Sequence, residues 1–171
     1  MQKIIVIGCP GAGKSVFARA LHEKTGLPLC HLDQLFWNAD RTTVTRELFR
    51  ARLAAVLATD AWIIDGNYAS TMEERMAACD TVFFLDYPTE VCLDGVRARR
   101  GKPRPDLPWI ETAEDAEFMD FIKDFQAKSR PAILELLARQ NQKRVVAFSS
   151  RAEADAYLQG LEKTKFEKDN F

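Results

Sequence analysis

The sequence predicts an α/β domain in which a five-stranded parallel sheet lies between two layers of helices, a three-layer sandwich. Short apolar runs alternate with helix-spaced stretches along the whole chain, the pattern that builds a parallel sheet. The first run, Ile4-Ile5-Val6-Ile7, is continuously apolar, as in a strand buried on both faces. It leads into Gly8-Cys9-Pro10-Gly11-Ala12-Gly13-Lys14-Ser15 and then a helical pattern from Val16 to Lys24, the setting in which G-x-x-x-x-G-K-[ST] means a phosphate-binding loop.

The loop's spelling follows from its chemistry. Glycines tolerate positive φ, so successive N–H groups can turn inward as an anion nest at a helix N-terminus. Gly8, Pro10, Gly11, Ala12, Gly13, Lys14, Ser15 and Val16 are the expected nucleotide-binding residues. Lys14 is placed to reach the β and γ phosphates, and the Ser15 hydroxyl to sit on a Mg²⁺ bridging them. The expected ligands are therefore ATP or GTP with Mg²⁺.

Composition narrows the class. With 171 residues, 47% hydrophobic and 29% charged, the chain suits one domain, residues 1–171, able to bury a core without disulfides. A net charge of −1 gives no global field toward nucleic acid or lipid headgroups. Cys9, Cys30, Cys79 and Cys92 form no C-x-x-C, which argues against zinc and disulfide frameworks, and Cys9 reads as a small loop residue. Without a signal peptide or an apolar run of about 18 residues, a cytoplasmic protein with no membrane contact is expected.

The strand at residues 3–7 is followed by a helix with the stripe Phe17, Ala18 and Leu21, stopped by Gly26 and Pro28. A second strand, Leu29 to Leu32, ends in Asp33, and Gln34 to Thr42 is non-periodic. Phe49, Leu53, Val56 and Leu57 mark the next helix. The strand Trp62-Ile63-Ile64 ends in Asp65-Gly66-Asn67-Tyr68, and a short helix from Ser70 to Ala78 precedes the strand Thr81 to Leu85, closed by Asp86. Thr89 is expected to cap the following helix. Phe118, Phe121, Ile122 and Phe125 stripe a long helix, with a kink or restart at Ser129-Arg130-Pro131. A strand from Arg144 to Phe148 and a helix from Arg151 to Leu161 complete the alternation, and the charged tail from Glu162 is expected to fray.

Ligands of open α/β sheets collect beyond the carboxyl ends of the strands, so the strand-end carboxylates are the candidates for chemistry. Asp65 is favoured over Asp86 as the Mg²⁺-side carboxylate, partly through water, because Gly66 allows close approach. Asp33 either accepts a proton from an acceptor hydroxyl or binds the acceptor. His31 reads as a satisfied, half-buried histidine. The run Arg97, Arg99, Arg100, Lys102, Arg104, broken by Gly101, Pro103 and Pro105, reads as a lid over residues 97–110 that closes on transferring phosphates. A solvated loop and a nucleic-acid patch are the rival readings, the latter not favoured. Asp106, Glu111, Glu114, Asp115, Glu117 and Asp120 follow as a local switch of charge sign. Arg130 is placed to point one more guanidinium inward, or to pair with an acid. Lys14, Asp33, Asp65, Arg100, Arg104 and Arg130 are thus the catalytic candidates.

With these residues in this order, the chain resembles the adenylate-kinase-like group of nucleoside and nucleotide kinases over essentially its full length. More narrowly, IGCPGAGKS, LPLCHLDQLFW, WIIDGNYASTMEERMAACDTVFFLDYP and KSRPAIL look like the bacterial DNA topology modulation proteins, related to flagellar regulators. The larger group implies a P-loop NTPase fold with sheet order 2-3-1-4-5 and a lid before the long helix. It implies the metal-water position for Asp65 and nucleotide contacts from Arg97 and from Arg151, in the loop Ser149 to Ala152 near the donor base. The chain departs from nucleoside monophosphate kinases in lacking Pro-Arg after Asp65-Gly66, and its H-L-D phrase is similar to kinases that phosphorylate a hydroxyl, such as those for shikimate or gluconate. The implied activity is γ-phosphoryl transfer to a small acceptor, a nucleotide or nucleoside first and a non-nucleotide alcohol second. An NTP-gated regulatory or nucleic-acid-associated protein is the reading from a different class.

Overall fold

A computed structural model describes residues 1–161. Strands β1 (Lys3–Gly8), β2 (Leu29–His31), β3 (Trp62–Asp65), β4 (Thr81–Leu85) and β5 (Arg144–Phe148) form one parallel sheet in the order β2-β3-β1-β4-β5. Helices cover both of its faces, so the P-loop NTPase fold expected from the sequence is the fold observed. They are α1 (Lys14–Thr25), α2 (Leu32–Phe36), α3 (Arg46–Leu57), α4 (Met72–Ala78), α5 (Thr89–Arg99), α6 (Ala116–Lys128), α7 (Arg130–Ala138) and α8 (Arg151–Gly160).

The continuous apolar runs became the central strands for the anticipated reason. Ile4, Ile5, Val6 and Ile7 of β1 and Val82, Phe83 and Phe84 of β4 are wholly buried, because layers above and below leave neither strand a solvent face. Phe17, Phe83, Phe148 and Tyr157 cluster where α1 and α8 meet the sheet. A second aromatic cluster, Phe36, Phe49 and Tyr68, joins α2 and α3 to the end of β3.

Two local expectations are corrected. Strand β2 stops at His31, and Asp33 lies in the first turn of α2, where a carboxylate is favourable to the helix dipole. Five residues are too few to display a helical period, which is why this stretch reads as irregular. The N-cap of α5 is Pro88, with Thr89 already helical and making no side-chain cap. The restart at Ser129 is present: α6 ends and α7 begins there, with Pro131 in the first turn, where its missing N–H costs nothing. The tail from Glu162 lies outside the described residues. Among those described, no helix is long and apolar enough to cross a membrane.

Candidate functional site

The loop between β1 and α1 is an open cradle. Gly11 and Gly13 take φ of 83° and 94°, and Gly13, the N-cap of α1, provides no side-chain cap hydrogen bond. A Cβ on Gly11 would lie 2.0 Å from the Cys92 carbonyl oxygen, and one on Gly95 of α5 would lie 2.0 Å from the Gly11 carbonyl oxygen. Two glycines therefore let the loop and α5 meet backbone to backbone. Arg151 of α8 braces the same junction, donating to the Gly11 carbonyl at 3.0 Å. On the other side, Asn67 accepts from the Gly8 amide at 2.9 Å. Lys14 Nζ folds onto the Gly8 and Cys9 carbonyls at 3.0 and 3.1 Å. Burial pushes the Lys14 pKa down, opposed by the charges of Asp65 and Asp33. The pKa of the Cys9 thiol is pushed upward by a hydrogen bond with the free thiol of Cys92 and by burial, so it loses thiolate character at neutral pH.

Two carboxylates face this loop, Asp65 from the end of β3 and Asp33 from the first turn of α2. His31 and Asp65 are register partners in β2 and β3, so their side chains leave one face of the sheet together, and His31 Nδ1 lies 2.6 Å from Asp65 Oδ1. His31 is thus a hydrogen-bonded histidine, buried where the sequence predicts it half-buried. Asp33 Oδ1 accepts from the Tyr68 hydroxyl at 2.7 Å. Desolvation raises the Asp33 pKa; the Tyr68 hydrogen bond lowers it, Asp65 raises it, and Lys14 and Arg104 lower it, leaving it net raised.

Behind them, Arg75 of α4 is fully buried, with no carboxylate partner among the described residues. Its guanidinium donates to the carbonyls of Gly66, Asn67 and Tyr68 and to the Thr71 hydroxyl. Burial brings its pKa down to about 10. This one cation satisfies the turn that presents Asn67 to the phosphate-type loop and Tyr68 to Asp33.

The loop from 100 to 115, between α5 and α6, closes the front. The charge switch read in the sequence folds onto itself: Arg99 Nε lies 2.9 Å from Glu111 Oε2, Arg104 Nη1 donates to the same oxygen at 2.8 Å, and Arg100 pairs with Glu114. Arg104 also grips Asp106 through Nε and Nη2. Asp106 Oδ2 accepts from the Ser15 hydroxyl at 2.8 Å, and Arg19 approaches its other oxygen at 3.7 Å. Burial would raise the Asp106 carboxyl, but Arg104 and Ser15 outweigh it and hold the pKa at about 2. Trp109 meets Trp37 edge to face, with ring centroids 5.1 Å apart.

Together these elements enclose a cleft of about 1210 Å³. Of the residues singled out in the sequence, Pro10, Gly11, Gly13, Lys14, Ser15, Val16, Asp33, Asp65, Arg100, Arg104 and Arg151 line it. Gly8 and Ala12 are buried behind the loop and act through its backbone shape. Two arginines are not brought to the cleft. Arg97 is half-exposed and paired with Asp94, and Arg130 makes a bidentate pair with Asp86, its Nε 2.8 Å from Oδ1 and Nη2 2.7 Å from Oδ2. That pairing also accounts for Asp86, which is not among the cleft residues. Asp106, Tyr68, Gly95 and Trp109 were not singled out for these roles by sequence reasoning. The one available signal was Gly95, since a glycine inside a helix costs about 1 kcal/mol relative to alanine.

No protein-family model matches the chain, and no curated protein matches it in sequence. Solved structures do match in fold. A shikimate kinase from Acinetobacter baumannii in complex with shikimate is similar at a TM-score of 0.61 and 20% identity, over 93% of this chain and 92% of that one. A shikimate kinase from Bacteroides thetaiotaomicron gives a TM-score of 0.55 and 23% identity, over 91% and 93%. A sugar kinase from Janibacter sp. HTCC2649 gives 0.53 and 15%, over 93% and 91%. What these likenesses define is a P-loop NTPase fold of the form also found in small-molecule kinases.

Proposed function

We propose that this protein is a P-loop kinase that transfers the γ-phosphoryl group of ATP, or GTP, to a hydroxyl of a small acceptor. The observation that carries the reading is the opposition, across one cleft, of a glycine cradle holding Lys14 and Ser15 to the desolvated carboxylate of Asp33. A triphosphate fits the cradle: amides at the start of α1 have no side-chain cap, and Lys14 is released from carbonyls that bind it only weakly compared with phosphate. The cleft also offers oxygen groups suited to magnesium: Ser15 would hold the ion directly and Asp65 through water, with phosphate oxygens of the nucleotide as further ligands. The cation would neutralise charge developing on the bridging oxygens.

The chain's own residues supply the rest. Asp33 accepts the acceptor's proton, and Tyr68 orients it. Arg99, Arg100 and Arg104 exchange carboxylate partners for phosphate oxygens as the 100–115 loop, the lid, settles over the nucleotide. Arg151, with the α5 face at Val91 and Asp94, borders the donor nucleoside. Trp37, Asn67 and Trp109 border the acceptor. A nucleoside or nucleotide is the first choice because two indoles offer it a stacking surface; an alcohol such as those taken by the structurally similar kinases is the second. The DNA topology modulation role, with nucleotide as a switch, is weakened because the basic run is already neutralised by Glu111, Glu114 and Asp106. Transfer of label from γ-labelled ATP across a metabolite panel, with Lys14→Ala as control, tests the proposal. Hydrolysis without any acceptor, together with salt-sensitive DNA binding, would replace it by the switch.

A further inference from the structure

We propose that Asp106, carried by the lid, is a direct ligand of the divalent cation that Ser15 holds, so that the metal ties the lid to the glycine loop. The inference rests on the kinase reading of the cleft and adds to it a residue that the strand-end logic of α/β sheets does not point to.

Asp106 is 2% exposed, the most enclosed acidic side chain of the protein's described cleft, yet it comes from a surface loop 91 positions along the chain from Ser15. Its seat is the hydroxyl of Ser15 itself. Two Mg²⁺ ligands at about 2.1 Å in adjacent octahedral positions are about 3.0 Å apart. Ser15 Oγ and Asp106 Oδ2 are 2.8 Å apart and already span such an edge. Little movement is needed to place a cation on both.

Charge makes the same demand. A carboxylate fixed against a polyphosphate cradle would repel its ligand. Arg104 offsets only part of this, because it is shared between Asp106 and Glu111, and Arg19 stands at 3.7 Å. A divalent ion between carboxylate and phosphate removes the conflict. Asp65 is differently placed: the contact between Ser15 and a carboxylate is made by Asp106, whereas Asp65 bonds to His31.

The test uses the full chain with β,γ-imido-ATP and Mn²⁺, whose binding is read by electron paramagnetic resonance. Asp106→Asn should weaken Mn²⁺ binding in the presence of the analogue at least tenfold, while binding of the analogue in EDTA, read by calorimetry, stays equal or tightens. Mn²⁺ affinity within threefold of wild type overturns the assignment. Asp106→Cys guards against a general disturbance of the lid: it should shift metal preference from Mn²⁺ toward Cd²⁺ relative to wild type, and an unshifted preference also overturns it. Wild-type protein that binds the analogue neither with metal nor without it would bring down the nucleotide site itself, and this assignment with it.

Discussion

The hydroxyl of Tyr68 bonds to Asp33 across 2.7 Å, and the backbone that aims it is left-handed, with φ of 34°. Such a conformation in a non-glycine residue costs of order 1–3 kcal/mol and persists only where the surroundings fix it. Arg75 fixes it, through the three carbonyls of residues 66 to 68. Burial raises the Asp33 pKa, and the Tyr68 hydroxyl is the largest influence opposing it. Removing that hydroxyl removes a group that lowers the Asp33 pKa. In Tyr68→Phe the acid limb of the kcat/KM profile should move up by about one pH unit, the scale of a hydrogen bond to a charged group. A limb that stays in place would mean that Asp33 is not the titrating base.

Asp33 also carries a stability cost. Its folded-state pKa lies above the ordinary 3.8, so the folded protein favours the protonated form, and ionisation above that raised pKa opposes folding. Asp33→Asn should therefore abolish transfer yet raise Tm at pH 7 by about 2–4 °C, the equivalent of roughly 1 kcal/mol in a domain of this size. The gain should shrink as pH falls through the raised pKa and vanish below 3.8, where both side chains are neutral. Scanning calorimetry at several pH values checks the sign.

Arg75→Met keeps the volume and removes the donors. The carbonyls of Gly66, Asn67 and Tyr68 would be left without their shared partner, and buried unsatisfied groups cost about 1–3 kcal/mol each, partly relieved by relaxation. A loss of about 3 kcal/mol in urea unfolding is expected, together with reduced nucleotide affinity, because Asn67 holds the Gly8 amide from the same turn. Unchanged stability would show that water replaces the guanidinium.

Gly95→Ala separates helix propensity from packing. Alanine favours a helix interior by about 1 kcal/mol, so an isolated α5 would gain. In the folded protein its methyl would collide with the Gly11 carbonyl, at 2.0 Å without movement. The clash should win, lowering Tm and weakening ATP binding by at least tenfold while far-ultraviolet circular dichroism stays native. Tighter ATP binding would contradict the close approach.

Most of the fold could be read from the sequence because its signals are local. The buried strands are unbroken apolar runs, the phosphate-type loop is contiguous, and Asp65 directly ends its strand. The order of the strands came from the resemblance and not from any local pattern. What escaped was set by tertiary approach. Asp106 meets Ser15 across 91 positions, and Gly95 matters only because Gly11 rests on it. The arginine run and the acids after it were both visible, but which guanidinium takes which carboxylate depends on how the loop folds back. Arg130 illustrates the converse: a position on a returning helix allowed an inward or an ion-paired side chain, and Asp86 at the end of β4 decides for the pair.

Arg130 and Arg104 can therefore be told apart by kinetics. Both are guanidinium forks on carboxylates, but Arg104 lines the cleft beside Ser15, whereas Arg130 is spent on Asp86 outside it. A fork aimed at developing charge loses its geometry when replaced by a point charge, and loss of one such donor costs about 10²–10³ in kcat. Arg104→Lys should therefore lower kcat by about a hundredfold with little change in Tm, since the positive partner of Asp106 is retained. Arg130→Lys should leave kcat within about threefold, and Arg130→Ala should cost about 1 kcal/mol of stability, the scale of a half-exposed pair. Measured side by side, a kcat for Arg130→Lys as low as that for Arg104→Lys would mean that α7 delivers its arginine to the cleft during turnover, and that the pair with Asp86 is a resting arrangement.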